Sequence, residues 1–135
     1  MKKSQALQQF WESFGIPAFD ENTVPDFPGG KAPEKYITYS VSTGELGNVI
    51  NLTASIWERN STSWEFVETK AEEIAKAIEE RDFSRMGINA PTIPLDNGRL
   101  YLTQGSPFAQ RLADPGSDLT RRIYLNIQAE FLTAY

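Results

Sequence analysis

The chain has 135 residues, with 13 basic and 18 acidic side chains for a net charge of −5, and it contains neither cysteine nor histidine. Without cysteine there are no disulfide staples, thiolate metal sites or thiol catalysis. Without histidine the usual general base near neutral pH and the commonest zinc ligand are missing. The acidic balance argues against a protein whose main task is to grip nucleic acid through its phosphates.

A chain of this length, 40% hydrophobic and 12% aromatic, has enough apolar material for one domain with a real core. The N-terminus begins Met1-Lys2-Lys3-Ser4, as a signal peptide would. The next residues are Gln-rich and amphipathic, so no leader is expected. No run approaches the roughly 20 apolar residues of a membrane span. A soluble protein made in the cytoplasm is the expectation.

Leu7, Phe10, Trp11 and Phe14 form a helical stripe, with Ser4 as the expected N-cap and Gly15-Ile16-Pro17 as the stop. Pro17–Asp20 is a candidate short extended piece. Residues 22–35 are rich in proline and glycine and read as a long loop, flexible from Phe27 to Glu34. Tyr36 to Ser42 is β-branched and aromatic, a strand. Thr43 to Asn48 is a turn. Val49 to Glu58 is a second strand, with Ile50, Leu52, Ala54 and Ile56 toward the core, and the two strands are expected to pair as an antiparallel hairpin.

Thr62-Ser63-Trp64-Glu65 has the spacing of a capping box. In the helix it opens, Trp64, Val67, Ala71, Ile74, Ala75 and Ile78 make the expected buried stripe. Glu68, Lys70, Glu72, Glu73, Lys76, Glu79 and Glu80 lie mostly outside, and Glu72 and Lys76 are spaced as an ion pair. Residues 81–92 look irregular. Asp96-Asn97-Gly98 is a strong turn signal, and Arg99 to Thr103 leaves it as a strand. Gly105-Ser106-Pro107 breaks that pattern. Phe108 to Ala113 fits a strand better than a helical turn, and Asp114 to Asp118 is a tight turn.

Thr120 to Phe131 is the longest alternation in the chain. Ile123, Leu125, Ile127, Ala129 and Phe131 share one face; Arg122, Tyr124, Asn126, Gln128 and Glu130 share the other. Successive side chains leave opposite faces of a strand, so the first row can bury against helices while the second meets water or another subunit. The fold class is therefore α+β: an antiparallel or mixed sheet packed by two main helices, in the order α-β-β-α-β-β, ending on a long strand.

The motifs carry little chemistry. Gly29-Gly30-Lys31 lacks the spacing of a phosphate-binding loop. Asp114 with Asp118, and Asp20 with Glu21, are the available carboxylate pairs, and each is read as turn residues. Ser106 has no histidine to activate it. No catalytic, cofactor or metal residue is assigned. Arg111, Arg121 and Arg122 would come together if residues 108–113 and the last strand formed a hairpin. Arginine serves well at interfaces, while charge on an edge strand also guards against aggregation. The candidate subunit-interface residues are Arg111, Arg121, Arg122, Tyr124, Asn126, Gln128 and Glu130.

Three stretches together resemble the small tail-completion proteins of long-tailed bacteriophages. They are Tyr36-Ile37-Thr38-Tyr39-Ser40; Ser55-Ile56-Trp57-Glu58-Arg59-Asn60-Ser61-Thr62-Ser63-Trp64; and Gly105 to Pro115 running into Arg121 to Phe131. The resemblance implies an α+β tail-terminator or head–tail joining protein without enzymatic activity. Such a protein forms a ring, often a hexamer, on the head-proximal end of the tail tube, where it stops tube growth and meets the head connector. The implied partners are copies of itself, the tail-tube protein and the connector. DNA would pass through the ring without specific binding, and the location would be the virion tail. A closed ring of identical subunits needs two different complementary patches on each. The last strand's polar row with the Arg group is one candidate, and the acidic second helix is the other. The competing reading is a small monomeric adaptor or inhibitor domain that binds a single protein partner.

Overall fold

The computed structural model describes residues 1–22, 33–42, 48–112 and 119–133. Its elements are α1 (Lys3–Glu12), β1 (Ala18–Asp20), β2 (Lys35–Tyr39), β3 (Val49–Glu58), α2 (Glu65–Glu79), β4 (Ile93–Leu95), β5 (Gly98–Leu112) and β6 (Arg121–Thr133). A 3-10 turn, Ser84–Met86, lies between α2 and β4. The expected α+β class and the long final strand are both present. The order gains two short strands, β1 where an extended piece is expected and β4 from the Ile93-Pro94-Leu95 stretch.

One six-stranded sheet runs β1-β2-β3-β6-β5-β4. Only β1 and β2 are parallel; β2–β3, β3–β6, β6–β5 and β5–β4 are antiparallel. The centre is the long ladder from Val49↔Glu130 to Glu58↔Arg121. Its parity sorts the side chains: Leu52, Ala54 and Ile56 meet Ile127, Leu125 and Ile123 on the covered face, and all six are buried. Both sequences alternate with period two, so this register is the one that puts both apolar rows on the same side.

Both helices cover that face. From α1 come Ala6, Leu7, Phe10 and Trp11; from α2 come Val67, Ala71, Ile74, Ala77 and Ile78. Phe10 packs edge-on to Trp11, Phe14 and Phe83, with centroids 4.9, 5.3 and 6.1 Å away. α1 touches both β1 and β4, the two outermost strands, so the sheet curls around the helices and turns its other face outward. Lys70 ties α2 to the end of the α1 segment, its Nζ donating to the Phe14 carbonyl at 2.9 Å.

Several local readings shift. α1 starts at Lys3 with Lys2 as its cap; the Gln5 side chain accepts from the Lys2 N–H at 3.4 Å, and Ser4 lies inside the helix. α2 begins later than the capping-box spacing implies, and the Ser63 hydroxyl accepts from the Glu65 N–H at 3.2 Å. In the stripe of α2, Ala77 is buried in place of Ala75. The Glu72–Lys76 pair is not made. Lys70 and Arg85 converge on Glu73 instead, at 3.0 and 3.3 Å. The irregular 81–92 stretch contains Phe83, which is buried in the core. Most of the 22–35 loop and the turns at 43–48 and 114–118 lie outside the described residues.

The one-sided burial of β6 makes it the most sensitive strand. Leu125→Ala, at a fully buried position on the central ladder, is expected to cost roughly 2–5 kcal/mol in equilibrium urea unfolding. Gln128→Ala, on the opposite face of the same strand, is expected to change stability by less than about 0.5 kcal/mol.

Candidate functional site

The outward face of the sheet is built from the second row of every long strand. Register places Tyr36 beside Trp57 and Trp57 beside Arg122, with Thr38, Ser55 and Tyr124 forming the next row. Among the described residues no helix packs on this face. The large side chains cover one another instead. Phe19 meets Tyr36 at 6.4 Å, Tyr36 stacks on Trp57 at 5.9 Å with ring planes 10° apart, and the Arg122 guanidinium lies 4.5 Å from the Trp57 ring and 5.7 Å from the Tyr124 ring. Two hydrogen bonds fix the row. Trp57 Nε1 donates to Thr38 Oγ1 at 3.0 Å, and Arg122 Nε donates to the buried Ser55 hydroxyl at 2.9 Å. The result is a ridge of on-edge rings ending in one guanidinium. Arg122 has no carboxylate partner among the described residues.

The three arginines do not form one cluster. Arg111 pairs with Ile123 and so shares the covered side of the sheet with Arg121, two residues before Ile123. These two meet over Trp64 at the start of α2, with guanidinium carbons 4.7 and 5.3 Å from the ring centre. Arg111 Nε donates to Glu68 Oε1 at 2.7 Å, and its Nη2 reaches the same oxygen. Arg121 donates to the Thr62 carbonyl at 3.2 Å. Both pin the rim of α2 to the β5–β6 hairpin, while Arg122 lies on the outward face. The expectation of one Arg group fails because Arg121 and Arg122 are adjacent on a strand, and adjacent side chains leave opposite faces.

Tyr124, Asn126, Gln128 and Glu130 all lie on the outward face. Asn126 has a further role that spacing alone does not reveal. Strand β5 continues through the Gly105-Ser106-Pro107 break with its register shifted, so that Gln104↔Ile127 is followed by Ala109↔Leu125. Asn126 sits at the shift and donates from Nδ2 to the Pro107 carbonyl at 3.0 Å. At Gly105 an added Cβ would lie 2.8 Å from the Asn126 Cβ and 2.9 Å from its carbonyl oxygen. The bulge is therefore clamped onto β6, and it divides the outward face into an aromatic–arginine half and an amide half.

Phe19, Tyr36 and Trp57 are absent from the residues that the sequence nominates, because only the register joins them. The signal in the sequence is the polar parity of Val49–Glu58, on which Trp57 shares a face with Asn51 and Thr53.

The ionisable groups around the depressions in the described surface carry charges of both signs: Glu73, Lys76, Glu80, Asp82 and Arg85 surround one of about 140 Å³, where Arg85 pairs with Glu73 at 3.3 Å. A second, of about 470 Å³, is lined by Gln5, Gln8, Phe19, Asp20 and Tyr39, among others. Asp20 is its single carboxylate, and it accepts from the Asn22 N–H at 2.9 Å, an ordinary turn contact. Burial, then the nearby Asp20 and Glu12 charges, push the Tyr39 phenol above its usual range. Another of about 380 Å³ lies between α2 and β5, against Glu68, Glu72 and Arg111. Among the described residues no three carboxylates are placed to hold a metal ion. Asp114 and Asp118 lie outside the described residues.

No protein-family model matches the chain, and no curated protein matches it. Among solved structures, a chain from the virion of a native gene transfer agent particle has a similar fold. The two superpose with a TM-score of 0.61 at 17% identity, over 93% of this chain and 90% of that one. The likeness therefore spans nearly the whole of both chains.

The clamp at the bulge is testable. Gly105→Ala is expected to destabilise the protein by about 1–3 kcal/mol in thermal or urea unfolding, because the new methyl meets backbone and a Cβ, neither of which can swing away. Asn126→Ala keeps that Cβ and so would not relieve the clash in the double variant.

Proposed function

We propose that this chain is a structural component of a phage-like virion. Within such a particle it acts as a tail terminator, a ring on the head-proximal end of the tail tube that stops tube growth and joins tail to head. The observation that carries the reading is the likeness of fold to a virion chain over nearly the full length. The finer role is supported by the resemblance of residues 36–40, 55–64 and 105–131 to phage tail-completion proteins. It is also supported by a molecule organised around surfaces: a rigid core, an outward sheet face with a ridge ending in one arginine, and an acidic helix on the opposite side.

The work is done by shape and charge. Copies of the wedge close into a ring, with six favoured, and present one rim to the tail-tube protein and the other to the head connector. The net charge of −5 suits a conduit through which DNA slides without being held. The protein is made in the host bacterial cytoplasm and ends in the virion tail, without enzymatic activity.

Removing the gene from its phage or prophage tests the role. The expected outcome is filled heads with unattached, overlong or unstable tails, seen by electron microscopy. Normal tails joined to normal heads would refute it, and capture of one host enzyme by a strictly monomeric chain would favour an adaptor or inhibitor.

A further inference from the structure

The ridge on the outward face has a chemical character that selects its partner. Trp57 lies between the stacked Tyr36 ring and the Arg122 guanidinium, so its faces are taken and its edge is left outward beside that guanidinium. Aromatic edges carry the positive end of the ring quadrupole. The ridge from Tyr36 through Trp57 to Arg122 is therefore a narrow positive strip on an acidic protein. Stacked bases need open ring faces, which this row lacks, and the overall charge repels phosphate. A carboxylate-bearing protein surface fits it.

Such a surface exists on this chain, on the other side of the molecule. Glu65, Glu72 and Glu79 are exposed and spaced by seven residues, so they line up along α2 at intervals of roughly 10 Å. None of them has an ion pair among the described residues, whereas Glu68 and Glu73 on the same helix are taken by Arg111, Lys70 and Arg85. The sheet lies between α2 and the ridge, so one copy cannot join them. Two copies stacked in the same sense can, and the pair then leaves one ridge and one acidic row free for further copies.

We infer that the subunit contact is heterologous: the Tyr36–Trp57–Arg122 ridge of one copy seats on the Glu72–Glu79 row of the next copy's α2. This rests on the ring reading and names the two surfaces that build it. A two-fold contact through the ridge would set one positive strip against another, which the charges disfavour.

Charge reversal in the purified full chain tests this, read by light scattering with circular dichroism to verify folding. The wild type is expected to show a closed multi-subunit mass that falls as salt screens the contact. Arg122→Glu alone, and Glu72→Arg with Glu79→Arg alone, are each expected to lower assembly at least tenfold while remaining folded. A chain carrying all three reversals regains the wild-type mass, and so does a mixture of the two variants, in which unlike charges meet at every contact of a six-membered ring. An assembled wild type that tolerates Arg122→Glu, or reversals that rescue neither in one chain nor in mixture, would overturn the inference and leave the ring reading standing. A wild type that stays monomeric at every concentration, and in the presence of tail-tube protein as well, would sink both.

Discussion

A strand with alternating side chains must bury one row and expose the other, and the rest of this structure depends on that constraint at the β3–β6 ladder. Ten consecutive pairs, Val49↔Glu130 to Glu58↔Arg121, keep the same parity. A slip of one residue would move Leu52, Ala54, Ile56 and their partners from the core to water. Burying a single large aliphatic side chain is worth about 1.5–3 kcal/mol, so no alternative register competes. Once the ladder is set, the helices have one face to cover, and the other face stays outward. The surface proposed for assembly is a by-product of the same alternation that builds the core.

That link explains what is legible in the sequence. β3 can be read with its observed ends, and the alternation in 120–131 locates β6 because a two-residue period over such a length fits nothing else. The stripe in α1 and most of that in α2 are legible for the corresponding helical reason. The elements that escape are those whose character comes from neighbours. β4 is three residues containing a proline, and it is a strand only because β5 runs beside it. The long β5 looks broken at Gly105-Ser106-Pro107, but a bulge absorbs the interruption, and a sequence does not distinguish a bulge from an end. The helix caps move by a turn or less because several polar residues compete for each N-terminus.

The candidate site shows the same division. Tyr124, Asn126, Gln128 and Glu130 need only parity to be placed on a common face. Whether Arg111 belongs with them depends on which residue of β6 it opposes, and the bulge decides that. With the shift, Arg111 falls opposite Ile123 and joins Arg121 over Trp64; the same spacing without it gives no such assignment. Phe19, Tyr36 and Trp57 come from three strands, and only tertiary pairing makes them a row. Their association also illustrates why an exposed aromatic is not by itself a binding signal. These rings satisfy one another first, and what they offer outward is the remainder, a strip of ring edges with Arg122 at its end.

The same reasoning separates charge that holds the fold from charge left for a partner. Arg111, Arg121, Lys70 and Arg85 all lie on the covered side of the sheet and make contacts within the chain: Glu68, Glu73, the Thr62 and Phe14 carbonyls, and the Trp64 ring. Each exposed pair contributes little, roughly 0–1 kcal/mol, yet together they set where α2 sits on the sheet. They also neutralise the inner carboxylates of α2 and leave the outer ones bare. On the opposite face Arg122 has the reverse history, held by a hydroxyl and two rings but given no carboxylate. The pairing around α2 thus leaves an acidic row on the outer side of that helix and, on the opposite face of the sheet, a guanidinium with no carboxylate among the described residues. In the proposed ring these two surfaces would meet between neighbouring copies, a heterologous contact that closes when the rotation from one copy to the next divides the circle.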